Sequence, residues 1–371
     1  MASARTGELD GYAVGAACRI DARAPGRTLA EIAVGLDPEG VAVDVARRRA
    51  YVACSREDRV AVVDLETSEL IASVEVGAEP IDLVFDEASD RIFTADAHGD
   101  SLSVVDAAEL RLVATVSVGM YPSGLCADFE ARRIYSGNSM GSSMSVVDLD
   151  TLDTIATVEA EPGAGAIAID PARGLVVCVN FIAASATFID TQTWQAVGRV
   201  DVGSGACAAG VVSRRGEVFI VNSLAGTLSR VSLDTFELVD EVAVGRAPVG
   251  LTVAPSGDRL YVSNRGAGTV SVVGADDAAQ WGQLTVGEGP GGVAVDPSNG
   301  LVLVANAGSG SVSVVEDLLA GAPPRPVEDE EHWLVGKPLP EFSLVDFHTG
   351  ERRSSLEWAE RRYLINFFAS W

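Results

Sequence analysis

Residues 242–283 read VAVGRAPVGLTVAPSGDRLYVSNRGAGTVSVVGADDAAQWGQ, and this pattern recurs along most of the chain. It contains four runs rich in Val, Leu and Thr, separated by turns rich in Gly, Pro, Asn and Asp. Short β-branched runs between such turns are typical of antiparallel strands. The stretch therefore predicts a unit of four β-strands.

The unit recurs every 42 residues without an insertion or deletion. Its seven starts are Ile32, Val74, Val116, Val158, Val200, Val242 and Leu284. A four-stranded repeat of this length predicts an all-β, seven-bladed β-propeller over residues 28–320, after an N-terminal extension of residues 1–27. A parallel β-helix has shorter coils, and an α-solenoid needs a 3.6-residue periodicity that these units lack.

Closure of the ring can also be predicted. The seventh unit has no clear fourth strand after Val315, whereas the run from Leu29 to Val34 has no preceding unit. Pairing this N-terminal run with the seventh unit would complete the blade and remove two exposed strand edges. We therefore expect an N-terminal outer strand to close the propeller.

Composition restricts the partners. The net charge is −26, from 53 acidic and 27 basic residues, and Lys337 is the single lysine. Such a field repels phosphate backbones and anionic lipid, so we expect neither nucleic acid nor a membrane surface as partner. The acidic surface serves either solubility or a cationic partner. The oligomeric state is left open.

No apolar run is long enough to span a membrane, and residues 1–10 lack a secretory signal. This predicts a cytoplasmic chain, or an extracytoplasmic one if the N-terminus is incomplete. Three His and five Cys without a C-x-x-C pair predict no metal site, and no cofactor is expected. The cysteines are Cys18, Cys54, Cys126, Cys178 and Cys207.

The repeat resembles the YVTN family of propellers, which is related to surface-layer and YncE-like repeats. The resemblance is carried by Tyr-Val-x-Asn pieces such as Tyr261 to Asn264 and by the Val-Ser-Val-(Val/Ile)-Asp type of strand, represented by Ser103 to Asp106. It covers about 290 of the 371 residues and implies the fold rather than an activity. DNA binding, which some relatives show, is opposed by the charge.

Residues that recur from unit to unit are expected to be structural. Asn138, Asn180, Asn222, Asn264 and Asn306 end the second strand, and we expect them to bond turn backbone. Asp64, Asp106, Asp148 and Asp190 end the third strand and are expected to stabilise its turn. Functional residues should instead interrupt the repeat.

The turn after each Val-Gly pair and the turn after each Asn strand should lie at the same end of the ring, around the channel mouth. Departures from the repeat there form a candidate site for a protein or a small molecule. Its proposed residues are Arg56, Asp82, His98, Tyr121, Phe181, Arg246, Arg265 and Glu288, with Glu57, Asp100 and Met140 nearby. His98 is a candidate base without an assignable partner. No His/Glu/Arg set of lactonase propellers and no Trp series of quinoprotein propellers is evident.

After the repeat, residues 321–332 are rich in Pro and acidic residues, which predicts a semi-stiff linker. Residues 333–371 resemble the start of a thioredoxin-like redoxin domain of the TlpA or alkyl hydroperoxide reductase/thiol-specific antioxidant kind. The matching segments are VGKPLPEFSL, residues 335–344, and YLINFFASW, residues 363–371. In that family Cys-x-x-Cys follows the Ala-Ser-Trp that here ends at Trp371.

The resemblance implies a propeller fused to a thiol-disulfide or peroxide oxidoreductase, of which this chain holds the beginning but not the redox cysteines. Exchange requires a reactive thiolate, so this chain is expected to be inactive, with no catalytic residue assigned. The alternatives are a non-catalytic propeller that binds proteins or ligands and, with less support, an enzyme whose site is the channel mouth.

Overall fold

The protein, in a computed structural model, is described over residues 26–318 and in two short strands, Ser343–Val345 and Arg352–Ser354. Residues 26–318 form seven four-stranded antiparallel sheets, so the prediction of a seven-bladed all-β propeller is confirmed. Six blades are built from four consecutive strands with the first strand innermost, and the seventh takes its outer strand from the N-terminus. The sequence and structure therefore agree on the number and order of the blades.

The strands of blades 1 to 3 are β2 (Pro38–Asp44), β3 (Arg49–Cys54), β4 (Arg59–Asp64), β5 (Glu69–Glu75); β6 (Pro80–Asp86), β7 (Arg91–Asp96), β8 (Ser101–Asp106), β9 (Arg111–Ser117); and β10 (Pro122–Asp128), β11 (Arg133–Asn138), β12 (Ser143–Asp148), β13 (Thr154–Glu159). Those of blades 4 and 5 are β14 (Ala164–Asp170), β15 (Leu175–Asn180), β16 (Ser185–Asp190), β17 (Ala196–Asp201); and β18 (Ala206–Val212), β19 (Glu217–Asn222), β20 (Thr227–Ser232), β21 (Leu238–Ala243). Those of blades 6 and 7 are β22 (Pro248–Val253), β23 (Arg259–Asn264), β24 (Thr269–Gly274), β25 (Gln280–Thr285); and β26 (Pro290–Val295), β27 (Val302–Asn306), β28 (Ser311–Asp317) with β1 (Gly26–Ala33). Three single-turn 3₁₀ helices cover Ser55–Glu57, Ala97–Gly99 and Ser213–Arg215.

The ring closes as the sequence predicts. The N-terminal strand β1 pairs antiparallel with β28, from Gly26 opposite Asp317 to Ala33 opposite Ser311. It supplies the fourth strand of blade 7, whose other strands come from the end of the repeat. Closure in this way gives blade 7 four strands like the other six and pairs the edge of β28 that the repeat leaves open.

The core lies between neighbouring blades. Because side chains alternate along a strand, Val52 of β3 packs toward blade 7, whereas Tyr51 and Ala53 pack toward blade 2. Seven such clusters of buried residues fill the seven interfaces. Strands buried on both faces need apolar residues at successive positions, which explains the almost uninterrupted Val and Ile runs.

Contacts divide the chain into two units, Met1–Ala320 and Gly321–Trp371. In the second unit the strands β29 (Ser343–Val345) and β30 (Arg352–Ser354) pair antiparallel. Apart from residues 26 and 27 and these two strands, the predicted N-terminal extension, linker and redoxin segment lie outside the described residues. Their predicted structure is therefore not tested by these two strands.

Candidate functional site

One end of the ring carries both kinds of turn that the sequence placed together. In each blade the first residue after the second strand donates its backbone N–H to the carbonyl of the residue before the inner strand, as from Ser55 to Asp37 and from Ala97 to Glu79. The bond recurs in all seven blades, the other five donors being Ser139, Phe181, Ser223, Arg265 and Ala307. We call this end of the ring the mouth face.

The residue before each inner strand forms the rim of the mouth face, and it has a positive φ in all seven blades. Blades 1, 2 and 3 place Asp37, Glu79 and Tyr121 there, with φ of 54°, 57° and 57°. Blades 4 to 7 place Gly163, Gly205, Ala247 and Gly289 there. Non-glycine residues rarely adopt this conformation, and such strain is found disproportionately at functional sites. The larger side chains of the rim are thus concentrated on blades 1 to 3.

A second ring of equivalent residues protrudes from the turns after the second strands. Going round from blade 1 to blade 7, its members are Arg56, His98, Met140, Ile182, Leu224, Gly266 and Gly308. We call this the turn ring. It has a polar part on blades 1 and 2, an apolar part on blades 3 to 5, and no side chain on blades 6 and 7.

The apolar part is unusually exposed. Met140 is 63% exposed, Ile182 73% and Leu224 72%, and Phe181 beside Ile182 is 43% exposed. These four side chains lie on three consecutive blades, and we call them the apolar arc. Exposed apolar groups collected on one surface mark interaction sites, and Met and aromatic residues are enriched in such interfaces. The sequence analysis identified Phe181 and Met140 but missed Ile182 and Leu224.

On the polar side, His98 and Tyr121 meet at a residue that the sequence analysis missed. His98 Nδ1 lies 2.6 Å from Glu79 Oε2, and the His98 and Tyr121 rings pack edge to face at 5.5 Å. The Tyr121 hydroxyl lies 3.4 Å from both Glu79 oxygens. Because a carboxylate only accepts, Nδ1 is the donor in this contact. Partial burial and the Glu79 charge raise the pKa of Tyr121.

Arg265 reaches across a whole blade. Its guanidinium, from blade 6, pairs with Glu39 of blade 1 above Gly291 of blade 7. A Cβ at Gly291 would stand 2.6 Å from Glu39 Oε2, so only glycine leaves room for the pair. Burial raises the pKa of Glu39 despite this partner. Arg56, which is well exposed, lies 3.3 Å from Asp37 through its Nε.

Asp82 lies inside the channel rather than on a mouth turn, which corrects its expected position. The inner strands enclose a cavity of about 310 Å³, and at the position of Asp82 the other six blades have Gly or Ala. Its carboxylate accepts the N–H groups of Leu83 and, from the next blade, Leu125. Burial in the channel raises the pKa of Asp82 to about 6. Glu39 shares the channel and was missed.

Arg246 and Glu288 are not brought into a cluster. The guanidinium of Arg246 bonds the Gly266 carbonyl of its own turn, and the Glu288 N–H donates to Ser309. Of the nearby residues, Glu57 pairs with Arg59, and Asp100 accepts the N–H of Tyr121. Sequence reasoning also missed Glu161, which replaces the Gly of the Val-Gly pair in blade 4 and pairs with Arg199 at 2.6 Å.

The repeated Asn residues are structural, but their partners differ from those expected. Asn138 Nδ2 donates to the hydroxyls of Ser143 and Ser145 on the next strand, 3.1 and 3.0 Å away, and not to turn backbone. The same pair of bonds recurs at Asn180, Asn222, Asn264 and Asn306. A Cβ at Gly119 would stand 2.4 Å from Asn138 Nδ2, which explains why Gly recurs in the Val-Gly pair.

Blade 2 carries Asp96 at this position. There the hydroxyls reverse direction, because Thr94 and Ser103 donate to the two carboxylate oxygens at 2.6 Å. Burial raises the pKa of Asp96 to about 6. The four Asp residues that end third strands behave as predicted, since each accepts two backbone N–H groups of its turn.

The cysteines of the described residues are free; Cys54 and Cys178 are buried, and Cys126 and Cys207 are partly buried. Burial raises the pKa of Cys54 to about 11, of Cys178 and Cys207 to about 12, and of Cys126 well above its usual value. A thiol of this kind is a poor nucleophile at neutral pH. Cys18 lies outside the described residues.

Two absences concern only the described part of the chain. Residues 26–318 contain no group of three or more His, Cys, Asp and Glu side chains that could hold a metal ion. In the same part no helix is long and apolar enough to cross a membrane.

Residues 227–333 match the family model described as Lactonase, 7-bladed beta-propeller. Among solved structures, the chain is similar to one described as hydrazine synthase of Kuenenia stuttgartiensis. The TM-score is 0.66 at 18% identity, over 77% of this chain and 97% of that chain. No curated protein matches the chain. At this identity the structural likeness shows the propeller fold alone.

Proposed function

We propose that the propeller is a protein-binding module that docks a partner on its mouth face, and that it serves a thioredoxin-like redoxin segment that begins at residue 333. The observation that carries the first half is the apolar arc. Four large side chains with 43–73% of their surface exposed lie together at one end of an otherwise acidic ring. Exposing them costs solvation free energy in the free protein, and a bound partner would cover them.

The arc is suited to a protein rather than to a small molecule. Met140, Ile182 and Leu224 lie on three blades with 63–73% of each side chain exposed, whereas a small-molecule site encloses most of its ligand in a concave pocket. Flexible Met and branched aliphatic side chains adapt to an irregular partner surface. The acidic field of the molecule favours a partner with basic residues around its apolar contact.

The experiment compares partner capture by the wild type with capture by a double variant, Ile182→Ser with Leu224→Ser. Its matched control is Leu70→Ser with Ile71→Ser on the outer strand β5, where the side chains are 41% and 43% exposed. A specific partner should be retained by the wild type and the control and lost by the mouth variant. Equal capture by all three proteins would refute docking on the arc.

The redox half rests on the resemblance of residues 333–371. The propeller does not provide the reactive thiol, because burial raises the pKa of Cys54, Cys126, Cys178 and Cys207. The activity would then depend on a Cys-x-x-Cys pair supplied after Trp371. This is tested by reading the gene beyond Trp371 and assaying insulin reduction by this chain and by the longer product. Turnover by the present chain would contradict the proposal.

A second candidate is hydrolysis at the channel mouth. It is favoured by the lactonase-propeller match and by the Glu79–His98 contact of 2.6 Å, which leaves His98 Nε2 free to act as a general base. The measurement is the hydrolysis rate of a simple lactone with the wild type and with His98→Gln. Equal rates would eliminate this candidate, whereas a large loss in the variant would favour it over a purely binding role.

A further inference from the structure

A groove of about 470 Å³ crosses the mouth face at blade 7, apart from the apolar arc. Arg56 and Asp37 of blade 1 form one wall, and Arg265 of blade 6 forms the other. The floor consists of blade 7 backbone at Gly289, Ala307 and Gly308. The groove exists because the turn ring has no side chain on this blade.

Both arginines have unused hydrogen-bond donors. Within the described residues, Arg265 contacts one acceptor, Glu39, and its buried Nε has no partner. Arg56 approaches Asp37 only through Nε, and its two terminal NH₂ groups meet no acceptor in residues 26–318. A guanidinium offers five N–H groups, so two such groups facing one groove favour an anion that accepts several bonds.

The negative charge around the groove favours a singly charged anion over a doubly charged one. Each arginine has a carboxylate neighbour, and the whole chain carries −26, so a dianion such as phosphate would be repelled more strongly. Leu36, which is well exposed, adds an apolar edge to the same groove. We propose that the groove binds a carboxylate attached to an apolar group, either a small aliphatic acid or the C-terminal residue of a peptide.

The test measures binding of hexanoate to the full chain by calorimetry, with hexanamide as the uncharged probe. Arg56→Gln removes free donors, and Ala307→Phe fills the groove. Phe is a suitable plug because Phe181 occupies the equivalent place in blade 4. Arg56→Gln loses a charge-assisted contact, and Ala307→Phe removes the space for the ligand. Each variant should therefore weaken hexanoate binding at least about tenfold. Arg111→Gln, the same charge change at an exposed site beside Glu109, should bind within about twofold of the wild type.

The two sources of the carboxylate are separated with acetyl-Gly-Gly-Leu as the free acid and as the amide. Tighter binding of the peptide acid than of hexanoate would assign the groove to a C-terminus, and equal binding would assign it to small acids. Equal binding of acid and amide, no saturable binding of either acid, or unchanged binding in both groove variants would overturn the proposal. Thermal melts check that each variant folds.

This site does not depend on the apolar arc. Ile182→Ser with Leu224→Ser should abolish partner capture and leave hexanoate binding unchanged. Failure of one proposal is thereby distinguishable from failure of the other.

Discussion

Each mouth turn has a buried layer and an exposed layer, and blades 3 and 7 show how differently the two vary. In the buried layer, Gly119, Asn138 and Ser145 of blade 3 make the same contacts as Gly287, Asn306 and Ser313 of blade 7. In the exposed layer, the same turn carries Met140 in blade 3 and Gly308 in blade 7. The buried layer holds the turn in place, so the exposed layer is free to differ from blade to blade and to acquire function.

The largest difference in stability between the two layers is expected when one methyl group is added to the buried layer. Gly119→Ala should destabilise the fold by about 2–3 kcal/mol, because the new Cβ would stand 2.4 Å from the buried Asn138 amide. Gly141→Ala in the exposed layer is the control, since its nearest neighbours are 3.3 Å away. Urea unfolding measures both. Similar effects of the two changes would show that the layers do not differ in this way.

Blade 2 offers an exchange within the buried layer. The pKa of Asp96 is raised to about 6, so its ionised form destabilises the fold as pH rises from about 4 to 6. Asp96→Asn should therefore raise the free energy of unfolding at pH 7 by about 1–2 kcal/mol, with the gain vanishing near pH 4. The reciprocal change, Asn138→Asp, should cost stability over the same pH range. Urea titrations at several pH values measure both, and a pH-independent effect would contradict the assignment.

A similar pH dependence is expected of Asp82 in the channel, and it is somewhat weaker because the side chain is partly exposed there. Folding raises its pKa to about 6, so the folded state binds the extra proton and stability falls as pH rises from about 4 to 6. The free energy of unfolding of Asp82→Ala, relative to that of the wild type, should therefore rise by about 1–2 kcal/mol between pH 4 and pH 7. Asp64→Ala is the control and should change little over this range, because turn N–H groups lower the pKa of Asp64 and its titration therefore affects stability below about pH 4. Parallel pH profiles for both variants would refute the burial argument.

The smallest effect on stability is expected in the exposed layer itself. Ile182→Ser should change the free energy of unfolding by less than about 0.5 kcal/mol, because 73% of the side chain is exposed. The same urea assay tests this. A cost above about 1 kcal/mol would mean that Ile182 supports the fold and is not free for binding.

The fold could be predicted from the sequence because its period is regular. A 42-residue spacing fixes the blade count, and a unit that lacks its fourth strand identifies β1 as the closing strand. The period also placed the two mouth turns together. It could not show that His98 meets Glu79 within blade 2 or that Arg265 reaches Glu39 across blade 7, since both contacts depend on side-chain direction.

Other residues of the site could have been found from the sequence. Comparing the same turn position in all seven units gives Arg, His, Met, Ile, Leu, Gly and Gly, which includes Ile182 and Leu224 and the bare blade 7. Asp82 was identified as a departure, but its strand position indicates the channel rather than a turn. The reversed hydroxyl bonds at Asp96 depend on the neighbouring Thr94 and could not be inferred from spacing.

The pairing of β1 with β28 also means that β1 stays without its partner strand while the ribosome synthesises most of the chain. β1 ends at Ala33 and its partner ends at Asp317, so at about 5–20 residues per second the strand waits roughly 15–60 s for its partner. During translation it is an unpaired edge, which nascent chains protect with charge. Arg27 and Glu31 provide such charge within β1 itself.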